Sequence, residues 1–299
     1  MKVLVTGACG QLGSELMRQL SAGASPIGPI PAAFMDSEIT GIDIDDMDIT
    51  DEEAVRLFLE KGRYDVIFSC AAMTNVDLCE SEREAAFRIN ARAPGYIARA
   101  AKATRAKLIH VSTDYVFSGD VCSPRRESDV TEPRTVYGSS KLKGEGQILE
   151  SGADAAIVRT AWLYGEAGKN FVKTMLSLAR ERANIRVVDD QFGNPTNAAD
   201  LAHHLFKLAV SKERGIFHCT NHGICSWHEF AVQIMKSAGI DVEVAACSTA
   251  EFPRPAPRPA YSALENSRLS ETVGDEMRGW REAVDDCVLR IVNGQQSTL

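Results

Sequence analysis

Tyr137 and Lys141 lie four residues apart in Val136-Tyr137-Gly138-Ser139-Ser140-Lys141. On a helix that spacing stacks both side chains on one face. A free phenol titrates near ~10 and exchanges protons poorly at neutral pH. An ammonium fixed beside it favours the phenolate and lowers that value. The pair can then act as general acid or base. Surface helices produce the same spacing by chance, so the pair needs supporting features. Two are present: a glycine-rich start at Gly7, and a polar strand end at Ser112-Thr113.

The elements that must position these groups follow a regular alternation. Lys2–Thr6 reads as a short apolar strand, then Thr6-Gly7-Ala8-Cys9-Gly10-Gln11-Leu12-Gly13, then an amphipathic helix over Ser14–Leu20. Gly7 and Gly10 suit a tight turn and close approach of a pyrophosphate. Gly13 suits close packing of helix on strand, with the helix N-terminus facing the negative charge. A strand before and a helix after meet the context test for a dinucleotide fingerprint.

Ser21–Ser37 is rich in Pro, Gly and Ala and reads as an extended loop. Glu38–Asp43 is the second strand, with Asp43 at its end and Asp45, Asp46 and Asp48 behind it. A carboxylate there can accept hydrogen bonds from an adenosine ribose. The same run also reads as a solvated acidic turn. No Arg or Lys stands between Asp43 and Glu53 to hold a 2′-phosphate.

Thr50-Asp51-Glu52-Glu53 has the capping-box pattern and opens a helix to Glu60. Strand Asp65–Cys70 ends in Ala71-Ala72-Met73-Thr74, small residues suited to a flat ligand. A helix over Glu82–Thr104 must kink or break at Pro94. Strand Lys107–Ser112 carries Thr113-Asp114 at its carboxyl end, where ligands gather in open parallel sheets. A hydroxyl there also serves to cap a strand turn. The Tyr137/Lys141 helix runs to about Glu150, and strand Ala155–Thr160 leads to Trp162. This βαβαβαβαβ order implies right-handed crossovers and a doubly wound parallel sheet.

The second half is less regular. Helices are expected over Phe171–Arg182, Ala198–Val210 and, capped by Ser226, to about Ala238; strands over Ile185–Asp189 and Gly215–Cys219. Phe252–Pro259 holds four prolines and reads as extended. Cys219, His222, Cys225 and His228 recur every three residues, yet match no C-x₂-C or H-x₃-H pair and straddle a strand and a helix start. Buried thiols and exposed imidazoles are the expectation there, and no metal.

The bulk numbers set outer limits. The 299 residues suffice for one large α/β domain or two smaller ones. A net charge of −8 argues against a nucleic-acid partner. No apolar run approaches the ~20 residues of a membrane span. The N-terminus enters a strand directly and lacks signal-peptide features. Eight scattered cysteines without a C-x-x-C pair read as reduced thiols in a cytoplasmic protein.

With T-G-x-x-G-x-x-G, S-T-D-Y-V-F and Y-x-x-x-K in this order, the chain resembles the extended short-chain dehydrogenase/reductases. More narrowly it resembles the dTDP-4-dehydrorhamnose reductase family. The match rests on Thr6–Gly13, His110–Gly119, Val136–Lys141, Arg159–Tyr164, Asn170–Leu176, Asp190–Thr196 and Arg258–Ser262, and so runs through nearly the whole chain. The resemblance implies a Rossmann domain, residues 1–164 plus about 190–218. A smaller α/β substrate domain would hold about 165–189 plus 219–299. It implies NADH or NADPH as cofactor, contacted by Gly10-Gln11-Leu12, Asp48-Ile49, Ala72-Met73-Thr74, Tyr137 and Lys141. The acidic run makes NADH the preferred expectation. It implies Thr113, Asp114, Trp162, Asn170 and Arg258 on the substrate side.

In the reaction so implied, hydride reaches C4 of a dTDP-4-keto-6-deoxy sugar. Tyr137 protonates the forming alkoxide, and Lys141 lowers the Tyr137 pKa and holds the nicotinamide ribose. Thr113 hydrogen-bonds the reacting oxygen. A 4,6-dehydratase would need an Asp-Glu pair after the Thr, and here Tyr115 follows Asp114. A non-catalytic regulatory subunit on the same scaffold is the other alternative. Some relatives are homodimers around Mg²⁺ held by two glutamates. Glu15 matches the first, and Ala199 stands at the second.

Overall fold

The computed structural model describes residues 1–296. In chain order the sheet-forming half runs β1 (Lys2–Thr6), α1 (Gln11–Ala22), β2 (Glu38–Ile42), α2 (Glu52–Gly62), β3 (Val66–Ser69), α3 (Val76–Ser81), α4 (Arg83–Phe87), α5 (Ala93–Thr104), β4 (Lys107–Thr113), α6 (Val136–Ser151) and β5 (Ala155–Thr160). The rest runs β6 (Leu163–Tyr164), α7 (Phe171–Glu181), β7 (Asn184–Val188), β8 (Phe192–Gly193), β9 (Thr196–Asn197), α8 (Ala198–Val210), β10 (Gly215–His218), β11 (Cys225–Ser226), α9 (Trp227–Ala238), β12 (Glu243–Cys247), α10 (Ser267–Thr272) and α11 (Trp280–Gln296).

Six parallel strands form the central sheet in the order β10-β5-β4-β3-β1-β2. Side chains alternate between its faces, as the period of two requires. Val3, Val5, Phe68, Ile109 and Val158 pack with α1 and α8 residues such as Leu16, Leu205 and Phe206. Leu4, Ile67, Leu108 and Ile157 pack on the opposite face with Val55, Leu59, Ile97 and Ala101. Both faces are therefore covered, as parallel sheets demand. The strand order reverses between β1 and β3, so a crevice opens at their carboxyl ends. A separate cluster joins α7, α9 and α11 over β7 and β12, around Leu176, Phe230, Ile234, Trp280 and Val288.

Several local expectations shift. The cap of α2 is Asp51, not Thr50: its Oδ1 accepts from Glu53 N and Ala54 N, both at 3.0 Å. The expected helix over Glu82–Thr104 is broken, with a π-helical turn at Arg88–Arg92 ahead of Pro94, which sits in the first turn of α5. Pro has no N–H to give, and the first turn needs none. Ser21–Ser37 is not simply extended. The α1 helix continues to Ala22, and a short 3₁₀ turn at Ala32–Phe34 buries Phe34 against Phe206, centroids 4.9 Å apart. Sequence pattern does not announce strand β12, paired in parallel with β7, or the helices α10 and α11. The capping box at Ser226 is present, with Glu229 accepting in return from Ser226 N.

Candidate active site

The crevice between β1 and β3 widens into a cleft of about 1140 Å³ that runs from the glycine turn to the edge of the α7/α9 cluster. At one end lie Gly7, Gly10, Gln11, Leu12 and Gly13. Gly7 has φ +67°, and a Cβ on Gly13 would stand 2.1 Å from Gly7 O. Only glycine allows α1 to start this close to the turn, which leaves its N-terminal N–H groups facing the cleft. This cradle suits the pyrophosphate of a dinucleotide.

Asp43, Asp48 and Ile49 line the same end. Asp43 is tied to the turn: its Oδ2 accepts from Cys9 N at 3.1 Å and its Oδ1 from Ile44 N at 3.0 Å. The acidic run is not without a cation, contrary to what sequence order suggests. Arg88, on the π-helical turn, also lines the cleft and acts on Asp48. No local sequence signal marks Arg88, because it comes from a different crossover, far along the chain from Asp48.

Ala72 and Thr74 face the cleft, but Met73 does not. Asn90 grips the Met73 backbone on both sides, accepting from its N–H and donating to its C=O, each at 2.9 Å. The Met73 side chain is thereby turned into a small cluster with Cys79, Ala86 and Val136.

The chemical groups converge in the middle. Thr135 caps α6 by accepting from Gly138 N at 3.0 Å, so the helix begins one residue before Tyr137. A Cβ on Gly138 would meet Tyr115 O at 2.1 Å, which is why α6 can start against the end of β4. Tyr137 packs edge-on against Tyr115 at 5.5 Å. Thr113 Oγ1 donates to Asp114 Oδ1 at 2.8 Å and accepts from Tyr115 N at 3.2 Å. Desolvation raises the Tyr137 phenol above its ordinary value; a hydrogen bond with Thr113 opposes this in part, and the Asp114 charge reinforces it.

The expectation that Lys141 lowers the Tyr137 pKa is not met in this geometry. Lys141 is 3% exposed, and its ammonium turns back to β4, donating to Val111 O at 2.6 Å, with His110 Nε2 at 3.4 Å. Burial lowers its own pKa to about 8, against an opposing pull from Glu145. Desolvation outweighs pairing for both partners. Tyr137 is therefore held in its protonated, proton-donating form. Burial likewise raises Asp114 to about 6, only partly offset by the Thr113 hydroxyl. Its Oδ2 is buried, with no hydrogen-bond partner among the described residues.

Trp162 and Asn170 line the far end, together with Trp227, which sequence reasoning does not single out. Asn170 caps α7 through Lys173 N at 3.0 Å and donates to Gly165 O at 2.8 Å. Arg258 does not line the cleft. Its guanidinium pairs with Asp77 at 2.8 Å and braces the proline-rich segment against α3.

The remaining candidates take local partners. Glu15 is nearly buried, with Arg18 and Gln19 on its carboxylate, and Gln19 also donates to Ala199 O at 2.8 Å. Cys219 contacts Met277 Sδ at 3.7 Å, His222 faces Asp275 at 3.5 Å, and His228 bonds Val244 O at 2.9 Å. Among the described residues no three His, Cys, Asp or Glu side chains gather as a metal site, and no helix is long and apolar enough to cross a membrane.

A glycine cradle at the first crossover, Thr113 at the end of β4 and Tyr137/Lys141 on α6 define a Rossmann-type oxidoreductase of the extended short-chain dehydrogenase/reductase class. A family model described as "RmlD substrate binding domain" matches residues 1–293. The spore coat polysaccharide biosynthesis protein SpsK of Bacillus subtilis is 42% identical over 283 residues, 95% of each chain. Among solved structures, a dTDP-4-dehydrorhamnose reductase from Clostridium acetobutylicum matches with TM-score 0.90 and 44% identity, covering 96% of this chain and 98% of that one. The reductase of the same name from Bacillus anthracis, in complex with NADP, matches with TM-score 0.90 and 38% identity, covering 97% and 99%. The chain belongs to the dTDP-4-dehydrorhamnose reductase family.

Proposed function

We propose that this protein reduces the C4 keto group of dTDP-4-dehydro-L-rhamnose with NADPH or NADH, giving dTDP-L-rhamnose. The observation that carries this reading is the hydrogen-bonded convergence of Thr113, Asp114 and a protonated Tyr137 in one cleft with the glycine cradle. When bound, the reduced nicotinamide supplies hydride. Tyr137 donates its phenolic proton to the oxygen left at C4, Thr113 hydrogen-bonds that oxygen, and Lys141 replaces charge lost from the phenol. Asp114 Oδ2 accepts from a sugar hydroxyl, and Trp162 lies against the sugar nucleotide. The Rossmann part, 1–164 plus about 190–218, holds the cofactor, and the α7/α9/α11 part completes the substrate side. The test is oxidation of NADPH, followed at the nicotinamide absorbance, on adding the purified protein to dTDP-4-keto-6-deoxy-L-mannose. A non-catalytic subunit would give no turnover, and a dehydratase would not consume the reduced cofactor.

The pH dependence follows from the two buried charges. Asp114, raised to about 6, loses its charge as pH falls through that value. Lys141, lowered to about 8, loses its charge as pH rises through that value. The profile of kcat/KM is therefore expected to be bell-shaped, with its plateau between these limits. Asp114→Asn should remove the acid limb and leave the alkaline one. An alkaline limb absent below pH 9, about a unit above the Lys141 value, would refute the assignment to Lys141.

For the cofactor, Asp43 favours NADH by repelling a 2′-phosphate, while Arg88 offers that phosphate a cation. We expect NADH to serve at least as well as NADPH. A kcat/KM for NADPH more than about tenfold above that for NADH, ~1.4 kcal/mol of preference, would overturn this. In that case Arg88→Ala should abolish the difference.

A further inference from the structure

Trp162 has an unusual backbone for an aromatic residue, with φ +47°. A bulky side chain in the left-handed region is strained and persists only where its surroundings hold it. Three contacts do so. Its Nε1 donates to Ser262 Oγ at 3.1 Å. Its ring stacks on Trp227, centroids 3.7 Å apart and planes 9° from parallel. At its edge lies Gly193, where a Cβ would stand 2.6 Å from Trp162 Cε2 and 2.7 Å from Ser262 Oγ.

Trp227 is itself held firmly. It is the first residue of α9, directly behind the Ser226 capping box. Its ring packs on Phe171 at 4.5 Å, and Phe171 is the first residue of α7. The layer Trp162–Trp227–Phe171 thus rests on two capped helix starts, and both indoles line the cleft. One face of the Trp162 ring is covered by Trp227. The ring cannot turn without breaking the stack and the bond to Ser262.

We propose that Trp227 is a positioning residue for the sugar nucleotide: it backs the Trp162 indole so that the ring meets the substrate already in place. This rests on the reading above that Trp162 lies against the substrate. Without the backing, the indole must be ordered on binding, and its immobilisation weakens affinity.

The test uses the full chain as Trp227→Ala, Trp227→Phe and Trp162→Ala, with dTDP and NADPH as separate calorimetric probes. Trp227→Ala should raise the Kd for dTDP, and KM for the keto sugar nucleotide, by about three- to tenfold. Its kcat should fall less than KM rises, and NADPH affinity, which reads the fold of the cradle, should hold. Trp227→Phe, which keeps an aromatic backing, should recover most of the dTDP affinity. Unchanged dTDP affinity in Trp227→Ala, or an equal loss for NADPH, overturns the positioning role. Trp162→Ala separates the two ideas. If it weakens dTDP while Trp227→Ala does not, only the positioning role falls. If neither variant weakens dTDP, the substrate reading falls with it.

Discussion

Tyr137→Phe is expected to lower kcat by roughly 10²–10⁴, the usual worth of a general acid. The substitution removes one oxygen and keeps the ring. That ring packs edge-on against Tyr115 and joins the cluster around Val136 and Cys79, so the start of α6 should hold. The lost hydroxyl is the one bonded to Thr113, and burial keeps it protonated. Without it the oxygen at C4 has no proton donor within the first layer of protein. The Kd for NADPH should change little, since the cradle at Gly7–Gly13 lies at the other end of the cleft. Tyr164→Phe is the control: Tyr164 is buried against Phe230, outside the cleft, and should retain far more activity. If Tyr137→Phe reduces the keto sugar within about threefold of wild type, far less than loss of a general acid entails, the proposed mechanism is wrong.

Lys141→Met should damage both kcat and cofactor binding. Met is close in length and apolar, and the site is dry, so the burial cost of the ammonium disappears. What is lost is the charge between β4 and Tyr137, together with the ribose contact assigned to it. We expect kcat to fall by roughly 10² or more, and Kd for NADPH to rise by about tenfold, as for loss of a charged hydrogen bond. Thermal stability should be maintained or improved, because relief of a buried charge outweighs the one donor lost to Val111 O. This pattern differs from Tyr137→Phe, where cofactor binding is spared. A Lys141→Met protein with wild-type NADPH affinity would show that Lys141 acts on the proton alone. One with wild-type kcat would remove it from the mechanism.

The features of this protein that rest on local runs of residues are legible in the sequence itself. The glycine turn declares itself through spacing of three, because the reason for each glycine lies within a few residues. Tyr137/Lys141 is an i,i+4 pair on one helix, and Ser226/Glu229 is a capping box within one turn. Strand Ala155–Thr160 and helix Ala198–Val210 fall at the expected bounds, since burial on both sheet faces makes a continuous apolar run, and helical period marks the other.

What sequence alone does not disclose depends on residues distant in the chain. Arg88 enters the cofactor end of the cleft only because the break ahead of Pro94 reorients its turn. Trp227 meets Trp162 from a different helix, and Arg258 is drawn to Asp77 across 181 positions. The direction of the catalytic pKa shifts is the same kind of fact. Spacing places an ammonium near a phenol and suggests that pairing wins. The folded chain buries both and engages the ammonium with the Val111 carbonyl, so desolvation wins. Burial is a property of everything packed around a group, and that is settled only when the distant segments meet.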